Sequence, residues 1–404
     1  MNDALKTNGS SRANPFTALL SHPFRPFFLL AGLYGALLAP VWLAVWFGAL
    51  PLVQRINPLH WHAHEMLFGL VSAAIAGFML TAMSNWTGTA PLRGWGLAGL
   101  VFLWLVGRLA MWQTEVFSPA LAALADLSFL LVMSLYVAKV IVGSRNHRNL
   151  VMVALLALLL VANLLMHLDF SGLVPGLAPR GERLAINLIL LLITVVAGRI
   201  TPAFTTNWLK SQGSTGREVR SWPLLDRAAL AAMAMIIVVD LVAADSLTAA
   251  ALALVAALLN GVRLAGWGVW HCRREPLLWI LHLGYGWLVV ALLLKGLSPF
   301  VADLPASLWL HAAGIGAMGV MILGVMTRVA LGHTGRPLAL PPGAVLIYGL
   351  ITLAVLMRLL SALGWVAQRW PLIVSGAAFS AAFVVFMICY WRILVSARVD
   401  GKPG

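Results

Sequence analysis

Three histidines and one glutamate occur together in the stretch Asn57-Pro58-Leu59-His60-Trp61-His62-Ala63-His64-Glu65-Met66. An apolar run follows directly and ends near residue 83, so the segment is long enough to cross a bilayer as a helix of about 20 residues. Ionisable groups within a membrane helix are costly and rare, and several together indicate a functional site. The plainer interpretation is a polar cluster at a helix start, where glutamate favours the positive end of the helix dipole.

The spacing of these histidines limits what they can bind. At about 100° per residue, His62 and His64 point about 200° apart around a regular helix. One metal ion therefore cannot easily take both as ligands, although neutral imidazole is the commonest metal ligand in proteins. The spacing instead favours a helix that serves two centres, one on each side.

The composition is that of an integral membrane protein. Of the 404 residues, 61% are hydrophobic and 10% are charged, whereas soluble domains carry about 25% charged residues. The formal net charge of +14 would also suit a nucleic-acid-binding protein, but the cations lie between apolar runs, which argues against nucleic acid as a partner. The first 26 residues contain no apolar core of a secretion signal. The chain has two cysteines and no CxxCH motif, which excludes covalent c-type haem and a cysteine metal cluster.

Twelve apolar runs predict an all-α membrane protein with twelve transmembrane helices in one domain, residues 1–404. They lie near 27–49, 60–83, 93–113, 119–142, 148–168, 183–206, 224–243, 246–270, 276–297, 306–331, 340–364 and 371–397. With a cytoplasmic N-terminus, four of the 27 Lys and Arg residues fall outside, three fall within spans and the other 20 fall inside. This bias predicts that both termini lie on the cytoplasmic side.

Weak internal similarity predicts three four-helix repeats, over residues 15–142, 148–270 and 276–397. Placing His64 over His311, an offset of 247 residues, aligns glycines and a Thr-Gly pair further along. The pair Asn85-Trp86 recurs as Asn207-Trp208, at an offset of 122. Glycine is frequent in membrane helices, so chance similarity is the alternative.

The predicted plan resembles subunit I of the haem-copper oxidases, in which twelve helices form three arcs of four. In that superfamily, histidines on helices two and ten clamp a low-spin haem near the outer surface, and His64 and His311 lie at the corresponding places. Helices six and seven carry no histidine here. The usual copper ligands of that superfamily are therefore missing.

Five short sequence motifs are distinctive, one of them within the opening stretch: His22-Pro23-Phe24-Arg25-Pro26-Phe27-Phe28, Trp61-His62-Ala63-His64-Glu65, Asn85-Trp86-Thr87-Gly88, Leu281-His282-Leu283-Gly284 and Met326-Thr327-Arg328-Val329-Ala330-Leu331-Gly332-His333-Thr334-Gly335. Together they resemble the NnrS family of haem- and copper-containing bacterial membrane proteins, over residues 15–395. The resemblance implies a role in nitric oxide metabolism and nitrosative-stress resistance, often alongside denitrification. It does not fix the reaction.

The histidines are assigned with that resemblance in view. We expect His64 and His311 to be the axial ligands of a low-spin haem, and His62 to hold a second, high-spin haem where nitric oxide binds. The alternatives for His62 are copper ligation or a hydrogen bond in a polar rim. His22, His282 and His333 are expected at the inner side as metal ligands, or else as polar packing residues.

Charged residues supply the remaining expectations. Arg108, Lys295 and Arg358 lie in the outer halves of spans and could bind haem propionates, since buried cations need partners; the alternative is snorkelling to the headgroups. Glu65 is a candidate proton donor, or simply a helix cap. His167, beside a loop and outside the five motifs, is expected to be solvated.

The leading hypothesis is an oxidoreductase that reduces nitric oxide to nitrous oxide, with two haem b groups and copper as a further candidate cofactor. Membrane quinol is the expected electron donor, because no soluble electron-entry domain is visible. The alternative is a non-catalytic protein that handles nitric oxide or metals and protects or supplies iron and copper centres. A secondary transporter is a third hypothesis, disfavoured because the histidines lie near helix ends and not at mid-depth.

Overall fold

The computed structural model describes residues 15–51, 55–214, 219–302, 304–364 and 369–402. All regular secondary structure in these ranges is helical. After a short helix, Pro15–Leu19, come twelve long helices: α1 (Phe24–Trp46), α2 (Pro58–Thr87), α3 (Trp95–Trp112), α4 (Pro119–Gly143), α5 (Leu150–Phe170), α6 (Ala178–Ser211), α7 (Pro223–Ala243), α8 (Leu247–Ala265), α9 (Pro276–Leu297), α10 (Ser307–Gly332), α11 (Val345–Leu363) and α12 (Trp370–Val395).

Eleven of the long helices in the described ranges are long and apolar enough to cross a membrane. The exception is α7, because Asp226, Arg227 and Asp240 lie within its 21 residues. The expected all-α membrane protein is therefore confirmed, whereas the count of twelve spans stays a prediction.

The ends of α2 follow from local sequence. The side chain of Asn57 accepts a hydrogen bond from the Leu59 N–H at 2.9 Å, and Pro58 occupies the first turn, where its missing N–H costs nothing. At the other end Gly88 adopts a positive φ of 69°, which glycine reaches without strain and which ends the helix. Residues 58 to 87 therefore form one continuous helix.

Three helices form the centre of the bundle. α2, α6 and α10 contact one another, and they are the most buried of the candidate spans, at 83%, 67% and 67% of their apolar windows. The other helices pack around them. These are the second, sixth and tenth long helices, which a four-helix repeat would make equivalent; the division into repeats stays a prediction.

Both α2 and α10 contain a π-helical segment. It covers Glu65–Val71 in α2 and Ala312–Gly319 in α10, so each segment begins directly after a histidine, His64 or His311. Such wider turns are rare and frequently lie at functional sites. The offset of 247 residues thus relates two backbone irregularities as well as two histidines.

α5 and α6 pack closely against each other at Gly181. A Cβ atom at Gly181 would lie 2.6 Å from the carbonyl oxygen of Ala162 and 2.7 Å from Cγ of Met166. Since a backbone oxygen cannot move aside without shifting its helix, only glycine fits there at this helix separation.

We predict that Gly181→Ala destabilises the protein by about 1–3 kcal/mol, because the added methyl group forces α5 and α6 apart. A lower thermal midpoint in detergent is the measurement. Gly349→Ala on α11 is the matched control, since nothing lies within 4 Å of its Cβ position. Equal midpoints for the two variants would contradict the close packing of α5 on α6.

Candidate functional site

Polar side chains gather at the end of the bundle where α2 and α10 begin, which we call the outer end; the inner end is where these helices finish. His64 is fully buried there. Its Nδ1 lies 2.8 Å from Oε1 of Glu65. Its Nε2 lies 2.9 Å from Oδ1 of Asn163 on α5 and 3.2 Å from Oδ2 of Asp126 on α4. One imidazole therefore joins three helices.

Arg108 on α3 links the two carboxylates of this group. Its Nη1 lies 2.5 Å from Oε1 of Glu65, and its Nη2 donates to Oδ1 of Asp126. Glu65 also accepts hydrogen bonds from the Tyr34 hydroxyl and from Trp112 Nε1. Both carboxylates are thus fixed by a buried guanidinium, which matches their geometry well.

His167 completes the group, and the expectation that it is solvated is wrong. Its side chain is 4% exposed, and its Nε2 lies 2.9 Å from Oδ2 of Asp126. The loop position misled the sequence interpretation because α5 runs on to Phe170 and packs between α4 and α6. We call His64, Glu65, Arg108, Asp126, Asn163 and His167 the outer polar cluster.

Part of the outer polar cluster has the composition of a metal site. One ligand atom each from His64, Asp126 and His167 lies within 4.8 Å of the others. Two imidazoles and a carboxylate are ordinary ligands of transition metals. The group is therefore able to hold a metal ion.

His62 lies in different surroundings, which agrees with the 200° angle of a regular helix. Its ring stacks on Trp42 of α1 with centroids 4.2 Å apart. His311 and Arg358 are near enough to act on it electrostatically. The Nδ1 atom of His62 is buried and has no hydrogen-bond partner among the described residues. No pattern in the sequence indicated the contact with Trp42.

His311 is oriented by its own helix. Its Nδ1 lies 2.6 Å from the carbonyl oxygen of Ser307, so Nδ1 carries the proton and Nε2 keeps the lone pair that a ligand atom needs. The expected pairing of His64 with His311 stays a prediction. The structure gives both nitrogens of His64 partners in the outer polar cluster, and it is His62 that lies near His311.

The three cations expected to bind propionates have different partners. Arg108 holds Glu65 and Asp126, and Lys295 pairs with Asp240 on α7. Arg358 has no carboxylate partner among the residues that the structure describes, and it lies near His62 and His311. Of the three, only Arg358 is left for an anionic group.

The three histidines predicted at the inner end, His22, His282 and His333, do not all lie together. The rings of His22 and His333 lie 5.9 Å apart. His282 is buried, with Nδ1 3.0 Å from the Leu278 carbonyl oxygen and Nε2 3.4 Å from that of Trp267. The structure thus brings two of the three predicted inner ligands together and gives the third backbone partners.

An apolar cavity lies between α1 and the three central helices. Its volume is about 80 Å³, and its walls include Phe28, Val71, Ile193 and Met321. The lining is almost entirely hydrocarbon, so the cavity suits a small uncharged molecule and disfavours ions.

The fold and the outer polar cluster define a class: a multi-pass helical membrane protein with buried imidazoles that are able to hold a metal ion. The chain belongs to the NnrS family. The model of that family, described as NnrS protein, matches residues 18–398. The resemblance inferred from the sequence is thereby confirmed, and the family indicates a role in the response to nitric oxide. A comparison with curated proteins found no match.

Removing Arg108 tests the outer polar cluster. Arg108→Leu leaves Glu65 and Asp126 as buried carboxylates without their cation, and we expect a loss of about 3–5 kcal/mol of stability, seen as a lower thermal midpoint and yield. Arg183→Leu is the control, because its partner Asp245 is 86% exposed and such pairs contribute about 0–1 kcal/mol. Similar midpoints for both variants would show that the buried contacts of Arg108 with Glu65 and Asp126 do not stabilise the folded protein.

The contact between His22 and His333 at the inner end predicts that the folded protein loses stability in acid. Burial, together with the smaller effects of the charges of His333, Arg25 and Arg398, lowers the pKa of His22 to about 4. Burial and Arg398 also lower the pKa of His333. Both imidazoles are neutral in the folded protein, whereas in the unfolded chain they take up protons near pH 6.5.

Stability supplied by this pair is therefore complete above about pH 6.5 and falls as the pH drops toward 4. We expect the thermal midpoint of the purified protein to fall between pH 7.5 and pH 5. The double variant His22→Gln/His333→Gln should show a smaller fall. An equal fall in the double variant would assign the acid sensitivity to other groups.

Proposed function

We propose that the protein reduces nitric oxide to nitrous oxide in the bacterial cytoplasmic membrane, with haem bound at the outer end and electrons supplied by membrane quinol. One observation carries this proposal. In a member of the NnrS family, His62 from α2 lies within electrostatic range of His311 from α10 and of Arg358. The proposal includes cytoplasmic termini, as the distribution of Lys and Arg favours.

The side chains around His62 fit a haem. Nε2 of His311 is free to bind iron because Nδ1 is bonded to the Ser307 carbonyl. The Nδ1 of His62 is a buried polar atom that no residue of the described ranges satisfies. Arg358 would bind a propionate, and the ring of Trp42 flanks the site. Haem bound there would supply the iron at which nitric oxide binds and accepts electrons.

The proposed reaction consumes two nitric oxide molecules, two electrons and two protons, and yields nitrous oxide and water. Nitric oxide is small and uncharged, so the apolar cavity between the central helices suits its passage. Quinol supplies electrons and protons together. A second haem and copper, expected from the resemblance, stay predictions.

Glu65 is the proton donor expected from the sequence, and its surroundings define what such a role requires. Its carboxylate is held by Arg108 at 2.5 Å and by His64 at 2.8 Å. Its other oxygen accepts from the Tyr34 hydroxyl and from Trp112 Nε1, so a proton on Glu65 would have to displace or turn round one of these four contacts. We therefore propose that Glu65 acts mainly by positioning His64.

A second candidate function is non-catalytic handling of nitric oxide or metal ions. The observation that favours it is the buried group His64, Asp126 and His167, which can hold a metal ion away from solvent. In this case the protein would protect or supply iron and copper centres without turning over nitric oxide.

Anaerobic nitric oxide consumption by purified protein in liposomes, with a reduced quinol, tests the proposed function. We expect nitrous oxide to form in a ratio of one molecule to two of nitric oxide. His62→Ala and His311→Ala should each reduce turnover to near background and alter the haem absorption spectrum. His147→Gln, an exposed loop residue, is the control and should behave as the unaltered protein.

Two outcomes would count against the proposal. Binding of nitric oxide without nitrous oxide formation would favour the non-catalytic function. Unchanged haem spectra in both His62→Ala and His311→Ala would remove these residues as ligands.

A further inference from the structure

The outer polar cluster contains a contact that hydrogen bonding by neutral histidine cannot explain. Glu65 accepts hydrogen bonds and donates none as a carboxylate, so the nearby Nδ1 of His64 carries a proton. Nε2 of the same ring then presents a lone pair. It faces Oδ1 of Asn163 at 2.9 Å and Oδ2 of Asp126 at 3.2 Å, and both are oxygen acceptors.

The orientation of Asn163 is fixed by its other contact. Its Nδ2 donates to Oδ2 of Asp126 at 2.7 Å, which leaves Oδ1 directed at His64. Three lone-pair atoms from three helices therefore converge when the ring is neutral, and either a second proton on His64 or a metal ion is needed between them.

The charge count leads to the same requirement. Among the six residues of the outer polar cluster, Glu65 and Asp126 contribute two negative charges and Arg108 contributes one positive charge. All three are buried, and an unbalanced charge in such surroundings is costly. Arg108 occupies Oδ1 of Asp126, and Oδ2 is left to the histidines.

The distances suit a metal ion. Donor atoms bound to one ion at about 2.0–2.2 Å lie about 3–3.5 Å from one another. Oδ2 of Asp126 lies 3.2 Å from Nε2 of His64 and 2.9 Å from Nε2 of His167. The Asn163 oxygen lies 2.9 Å from the same atom of His64 and is placed as a fourth donor.

We propose that His64, Asp126 and His167, with Asn163 as a fourth donor, bind a first-row transition-metal ion such as Zn²⁺, Co²⁺ or Fe²⁺. Two imidazoles and one carboxylate suit this class of ion better than Mg²⁺ or Ca²⁺, which prefer oxygen donors alone. A divalent ion leaves the outer polar cluster with one net positive charge, so the site also favours an anionic ligand.

Glu65 and Arg108 have positioning roles in this site. Glu65 accepts from Nδ1 of His64 and so directs Nε2 toward the ion, the usual arrangement of a carboxylate behind a metal-bound histidine. Arg108 fixes Glu65 and Asp126 in one orientation. The site is separate from the one at His62, which points to the opposite side of α2 and stacks on Trp42.

Equilibrium dialysis of the purified full-length protein against Zn²⁺ and, separately, Co²⁺ tests the proposal, with bound metal measured by elemental analysis. These probes are distinguishable from haem iron. We expect saturable binding of one ion per chain. His167→Gln should abolish it, and Glu65→Gln should weaken the affinity by about 10–100-fold, as loss of a residue behind a metal ligand does.

His147→Gln is the control, and it should bind the probe metals as the unaltered protein does. A thermal melt establishes that each variant is folded; if His167→Gln is not, Asn163→Leu replaces it and should weaken binding. Absence of saturable binding by the unaltered protein would show that the cluster holds a proton instead, and full binding by folded His167→Gln would also overturn the proposal. Nitric oxide consumption is independent of both results, so the proposed reaction and this site can fail separately.

Discussion

The contact of one arginine with two buried carboxylates is the interaction on which the outer end of this protein depends. Arg108 comes from α3, Glu65 from α2 and Asp126 from α4, so the guanidinium fixes three helices at one depth. Asp126 in turn orients Asn163 and His167 of α5. Because charges inside a bilayer are stable only with partners, this network sets which helix faces can turn inward.

A second buried cation is satisfied in the same way. Lys295 of α9 pairs with Asp240 of α7, near Asn187 of α6. Arg358 is different, since among the described residues its neighbours are histidines and not carboxylates. Of the three cations expected to bind propionates, Arg358 is therefore the one that no described carboxylate pairs with.

The local geometry of α2 directs two of its histidines into different surroundings. His62 and His64 are two residues apart, and they turn toward Trp42 on one side and the outer polar cluster on the other. The π-helical segment begins directly after them and follows His311 in α10 in the same way. The wider turn changes the direction of the residues beyond it, so each histidine sits at the junction of two helical registers.

The sequence determined the membrane class, the positions of the long helices and the family, because these depend on local hydropathy, helix length and short motifs. It also determined that His62 and His64 face apart, since helix periodicity is local. Tertiary structure decided the partners: that Arg108 holds Glu65 and Asp126, that His167 is buried against Asp126, and that His62, not His64, lies near His311. These contacts join residues 18 to 249 positions apart, and which helix faces meet follows from how all the helices pack, which no single stretch of sequence encodes.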